Sequence, residues 1–207
     1  KFASNQISPA VNLRAARESR FPRFGEEGKI SLMVWGDSHA RSILPGVKKA
    51  AEKHGESLIT AWNSATPPLM NYLPSSNNSS RLGSTAPEFA EIIIDYLVRE
   101  KIPNVLLVAH WSGYDTDESV PGETSTVCNT SGRFAKAMLH TVNTLHKQGI
   151  KVWILREVPN HRASVPKILV SAEILGTDPA DYAGRPEDNL KRNAWFDQLW
   201  PSLEKAG

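Results

Sequence analysis

The residues best suited to chemistry lie in one short stretch, Val34-Trp35-Gly36-Asp37-Ser38-His39-Ala40. It links a nearly continuous apolar run, Ile30 to Trp35, to residues at helical spacing, so Ser38 falls at a strand-to-helix junction. A serine hydroxyl becomes a nucleophile only when a base, usually an imidazole, accepts its proton. Gly36 permits a tight turn and close backbone approach to a substrate. The Ser38 N–H, at a helix N-terminus, is suited to stabilising an oxyanion. Asp and Ser are also favoured helix caps, so without a base the same residues read simply as a cap.

Base candidates follow from the six histidines, at positions 39, 54, 110, 140, 146 and 161. His110 and His161 fall where predicted strands end, and either is an alternative base. His39 directly follows Ser38. His54, His140 and His146 sit on helical stretches and read as surface or packing residues.

The elements that must hold these residues alternate along the chain. Strands are expected at Ile30–Trp35, Ser57–Trp62, Val105–Ala109 and Lys151–Leu155. Between and after them, helical spacing covers residues 40–54, 86–97, 134–145, 165–175 and 186–205. Pro45 means the first of these helices either starts near Ser42 or is kinked. Strand–helix alternation predicts a three-layer α/β/α sandwich around a parallel sheet. In such sheets ligands collect at the carboxyl ends of the strands: Gly36–His39, Asn63–Leu69, His110–Tyr114 and Glu157–His161. The Ser-, Asn- and Pro-rich text from Asn63 to Thr85 reads as a long loop, functional or mobile. Trp35, Trp62, Trp111 and Trp153 read as core, and Trp111 is also a candidate floor for a sugar site.

Composition narrows the function. The 207 residues carry a net charge of +2, which sits unevenly. Residues 1–29 hold Lys1, Arg14, Arg17, Arg20, Arg23 and Lys29 against Glu18, Glu26 and Glu27; the rest is near neutral. Residues 1–29 therefore read as a basic leader or linker extension, and 30–207 as the domain. A near-neutral body lacks the basic stripe that nucleic-acid binding needs, so no nucleic acid is expected. No apolar run is long enough to span a bilayer as a helix. A single Cys128 forms neither an internal disulfide nor a cysteine-based zinc site. The acidic loop Asp115, Asp117, Glu118 and Glu123 lacks calcium-loop spacing and reads as solvated, so no metal or cofactor is expected. Asn77 and Asn129 open glycosylation sequons, a common pattern that matters only on a eukaryotic secretory route.

Trp35-Gly36-Asp37-Ser38-His39-Ala40, followed by Ile43-Leu44-Pro45, resembles the SGNH/GDSL hydrolases. It is most similar to their branch fused to membrane acyltransferases of the acyltransferase-3 type. Thr66-Pro67-Pro68-Leu69 and Val108-Ala109-His110-Trp111-Ser112-Gly113-Tyr114 support that branch. The branch often pairs a Cys-Pro-Pro cysteine with a second one before the next helix. Here Thr66 and the Ser84–Pro87 region occupy those places without cysteine. The resemblance covers about residues 30–205.

It implies an extracytoplasmic domain that moves acyl groups, typically acetyl, onto or off cell-envelope glycans. Ser38 would be the nucleophile and Asp37 would hold the loop. Gly36, Asn63, His110 and Trp111 are the candidates for oxyanion or pocket positions, although the family's usual Gly and Asn donors are not cleanly matched. An acylated glycan or acyl donor is the implied partner, with an N-terminal membrane acyltransferase domain in the same polypeptide. One departure is large: the family's Asp-x-x-His motif is absent, because no His has Asp three residues before it. Either the chain belongs to a longer protein that continues into that motif, or it is a degenerate member, a glycan-binding or accessory module. On the first expectation the 207-residue chain alone has little or no activity.

Overall fold

A computed structural model of the chain describes residues 9–73, 81–115, 132–157, 164–182 and 186–206. The chain runs through α1 (Leu13–Arg17), β1 (Arg23–Phe24), β2 (Leu32–Gly36), α2 (Ser38–Lys53) and β3 (Leu58–Trp62). It continues through α3 (Ala86–Arg99), β4 (Asn104–Val108), α4 (Ser112–Asp115), α5 (Arg133–Lys147), β5 (Lys151–Ile154), α6 (Val165–Leu175) and α7 (Pro186–Ala206). The sheet order is β1-β3-β2-β4-β5, with β2 through β5 parallel and β1 antiparallel at one edge. This is the expected α/β sandwich, with one more strand than the four expected.

Burial on both faces explains the continuous apolar runs. Met33, Val34 and Trp35 of β2 are all at most 1% exposed, because helices cover the sheet on both sides. Val34, Leu58, Trp62 and Val108 pack under Ala40 and Leu44 of α2. Met33, Trp35, Ile59, Ala61, Val105 and Leu107 face the other way, onto α3, α5 and α7. Parallel crossovers are right-handed, so reversing direction along the sheet puts successive helices on opposite faces. The reversal occurs here at β2: the chain leaves it for β3 on one side, then crosses to β4 on the other. The end of β2 is therefore the topological switch point, the place where ligands of such sheets usually bind.

α2 starts at Ser38 rather than near Ser42 and carries Pro45 inside it. Pro45 has no N–H to offer the preceding turn. Burial of Ala40 and Leu44 before Pro45, and packing of the partly buried Val47 and Ala51 after it, support the helix through that gap.

Three further differences from the sequence reading are physical. Residues 9–29, within the stretch read as a basic leader, are built into the domain. Val11 and Ala16 are 2% and 1% exposed, β1 pairs with β3, and Arg17 meets Glu88 at 2.5 Å. A two-residue strand and isolated apolar side chains have no periodicity to read. Trp153 is not core: it is 49% exposed on the edge strand β5, with Lys151 over its ring at 4.3 Å. In the loop after β3, Thr66, Leu69 and Tyr72 are buried, so that part serves as packing.

Candidate active site

Gly36 ends β2 where its neighbour leaves no room for a side chain. A Cβ placed there would lie 1.8 Å from the Val108 carbonyl oxygen and 2.8 Å from its carbon. The turn is tied on both sides: Asp37 N–H donates to Val108 O (3.2 Å) and Asn63 N–H donates to Gly36 O (3.1 Å).

Asp37 is the hub of the site. It is 1% exposed and N-caps α2, its Oδ1 accepting the His39 N–H at 2.7 Å. Its Oδ2 accepts the His110 N–H (2.9 Å) and the Tyr114 hydroxyl (2.8 Å), which brings the loop after β4 against the start of α2. His39 Nδ1 lies 3.4 Å from Oδ1, within range for charge attraction but outside hydrogen-bond geometry. Burial pushes the Asp37 carboxyl up. The His39 ring, the N–H groups of His110 and His39, and the Tyr114 hydroxyl outweigh it, holding the group below its ordinary value. The positive end of α2 favours the same charged form.

Ser38 opens the first turn of α2 and is exposed. Among the described residues nothing hydrogen-bonds its Oγ or accepts from its N–H, and its carbonyl accepts from Ser42 Oγ at 3.1 Å. The His39 and His110 rings stack, 4.9 Å apart and 15° from parallel. His110 Nε2 meets Glu157 Oε1 at 3.0 Å. The Glu157 side chain is 3% exposed and accepts from the Ser112 N–H (2.9 Å) and hydroxyl (3.0 Å). Burial raises the Glu157 carboxyl, but the His110 hydrogen bond, both Ser112 donors and the His110 charge hold it below the ordinary range.

The structure thus brings Gly36, Asp37, Ser38, His39 and His110 to one edge. The other candidates are placed differently. Trp111 is fully buried, its indole N–H donating to Leu155 O at 2.8 Å, so it does not floor an open site. Asn63 is 3% exposed and its amide N–H donates to Val11 O at 2.9 Å. His54, His140 and His146 are exposed. His161 and the acidic loop beyond Asp115 lie outside the described residues. Sequence reasoning missed Ser112, Tyr114 and Glu157 as individual participants; position at a strand's carboxyl end was the available signal. Among the described residues no cluster of three or more His, Cys, Asp or Glu is placed to hold a metal ion.

These two lowered carboxyls make an acid-stability prediction. Both titrate below their ordinary values of 3.8 and 4.5, so their stabilisation is complete above those values and is lost as pH falls through the lowered ones. The urea midpoint should drop between pH 5 and pH 3, and drop less in Asp37→Asn. Equal losses in both proteins would contradict the role given to Asp37.

A model of the SGNH domain found fused to AT3 domains matches residues 9–205. The chain belongs to the SGNH-domain family. No curated protein matches it. The SGNH domain is similar in fold to the periplasmic domain of the lipopolysaccharide acetyltransferase of Salmonella serovar Paratyphi A. The TM-score is 0.67 at 18% identity, over 96% of this chain and 72% of that one. The match begins inside residues 1–29, in keeping with the packing of α1 and β1 onto this SGNH domain. Among its described residues no helix is long and apolar enough to cross a membrane.

Proposed function

We propose that this SGNH domain carries out acyl transfer on an O-acylated glycan of the bacterial envelope, through an acyl-enzyme on Ser38. The observation that carries this reading is the placement of Ser38: exposed, first in a 16-residue helix, at the switch point of a parallel sheet. Ser38 Oγ attacks the ester carbonyl while its own N–H, with the dipole of α2 behind it, faces the developing oxyanion. Asp37 is engaged by three donors and acts by holding the loops together. The acyl group then passes to water or to a sugar hydroxyl, so esterase and transferase differ only in acceptor.

Two comparisons support this chemistry. Members of the family are fused to AT3 domains, and the structural neighbour is the periplasmic domain of a lipopolysaccharide acetyltransferase. The reading accordingly places the domain outside the cytoplasm, working with a membrane acyltransferase in the same polypeptide. The second reading is a glycan-binding module that kept the fold, in keeping with a Ser38 Oγ that has no hydrogen-bond partner among the described residues.

Hydrolysis of an activated aryl acetate by the whole protein and by its Ser38→Ala variant separates the two. Acyl transfer predicts a Ser38-dependent rate, with Ser38→Ala down by about 10³-fold or to the buffer background. Equal rates in the two proteins would favour the binding module.

A further inference from the structure

The helix that opens on Ser38 is basic. Over Ser38–Lys53, α2 holds Arg41, Lys48, Lys49 and Lys53 against Glu52 alone, and its first turn has no acidic residue. Arg41 and Lys48 lie three and ten positions after Ser38, spacings that put all three on one side of a helix.

Both cations rest on aromatic rings supplied by the sheet. The Arg41 guanidinium carbon is 5.5 Å from the Trp62 ring centroid, and Lys48 Nζ is 4.2 Å from that of Phe24. Trp62 ends β3 and pairs with Gly36, so its ring belongs to the same carboxyl edge as Ser38. Phe24 sits in β1, which pairs with the outer side of β3. Neither cation is neutralised. Arg14, Arg17, Arg20, Arg99 and Arg156 each meet a carboxylate. Among the described residues Arg41 and Lys48 make no ion pair or hydrogen bond, and Arg41 is exposed. The nearby Asp37 carboxylate does not cancel them, since it is buried and taken up by its own donors.

We propose that Arg41, with Lys48 beyond it, forms a subsite for a negatively charged group of the glycan, a carboxylate or phosphate carried close to the O-acyl ester. This rests on the acyl-transfer reading of Ser38 and names the substrate class, an acidic glycan. A guanidinium held against a ring is preorganised, and its edge N–H groups stay free to grip two oxygens of one anion. Less side-chain freedom is then lost when the anion binds. The positive end of α2 adds to the attraction. Arg41 lies within one turn of Ser38 and reads a charge on the acylated sugar or its neighbour. Lys48 lies about 10 Å further along the helix axis and meets a charge further down the glycan.

The test measures acetate release by the whole protein from an O-acetylated oligogalacturonate, from its neutral methyl ester, and from an O-acetylated oligosaccharide bearing galactose phosphate. At least one charged form should exceed the methyl ester about tenfold in kcat/KM. The better of the two charged forms tells whether the anion is a carboxylate or a phosphate. In Arg41→Gln the charged-to-neutral ratio should fall about tenfold, chiefly through KM, and in Lys48→Gln it should fall by less. Titration of the same glycans into the Ser38→Ala protein, followed by calorimetry, reads the subsite without turnover. The charged form should bind about tenfold more tightly than the ester, and adding Arg41→Gln should abolish the difference. The inference is overturned if the wild-type protein treats charged and neutral forms alike. It is equally overturned if Arg41→Gln slows both forms by the same factor, as loss of a cover over Trp62 would. Acetate release that persists in Ser38→Ala, or that is absent while charge-selective binding remains, overturns the acyl-transfer reading instead.

Discussion

Gly36→Ala should leave little folded protein, or a protein melting about 10 °C or more lower, although it adds one methyl group. Ordinary overpacking costs about 1–3 kcal/mol because side chains can shift. Here the obstacle is backbone, the Val108 carbonyl at 1.8 Å, and it belongs to the strand hydrogen-bonded beside β2. Relief requires the two central strands to separate at the point where Asp37 N–H bonds the same carbonyl. A loss of roughly 4 kcal/mol is expected, at about 2–4 °C per kcal/mol for a domain of this length. Gly46→Ala supplies the control. Inside α2, with nothing within 4 Å of its added Cβ, it should stabilise by about 0.5–1 kcal/mol. Thermal melts of the two variants should therefore move in opposite directions; a Gly36→Ala protein that melts like wild type would show that the strands tolerate the methyl.

Asp37→Ala should be the most damaging side-chain change in the site. It strips the acceptor from the Tyr114 hydroxyl and from the N–H groups of His39 and His110 at once. Each buried donor left without a partner costs about 1–3 kcal/mol, and loss of a helix cap about 1 kcal/mol. Even with partial relaxation the sum is roughly 3–5 kcal/mol, with the loop after β4 released from α2. Tyr114→Phe removes only one of the three donors and should cost about 1 kcal/mol. Urea unfolding of the two variants checks the ranking. Equal costs would mean that the hydroxyl, not the carboxylate's hold on the backbone, joins the loops.

How much of this was legible beforehand depends on the range of the interactions. β2, β3 and β4 were readable because parallel strands buried on both faces leave continuous apolar runs, β5 because Val152 to Leu155 is apolar although its strand lies at the exposed edge, and α3 and α5 because one face alternates at helical spacing. β1 was not, since Arg23 and Phe24 pair with Leu58 and Ile59 without a pattern of their own. Ser38 was legible from a local motif at a strand end. The partners of Asp37 were not: they come from 73 and 77 residues further on, and only the crossover at β2 brings them near. Trp153 misled because a strand-borne aromatic reads as core whether or not its strand lies at the sheet's edge. Glu157 carried no motif, and its meaning appears only when β5 is set beside β4.

The central claim, that Ser38 carries the acyl group, is most directly tested by trapping the intermediate. The whole protein is mixed with an activated acetyl ester, quenched in acid after a short interval, digested and examined by peptide mass spectrometry. The account predicts one acetyl group, on the peptide containing Ser38 and on that residue. Acetylation confined to other residues, or an equal yield on Ser38→Ala, would contradict it.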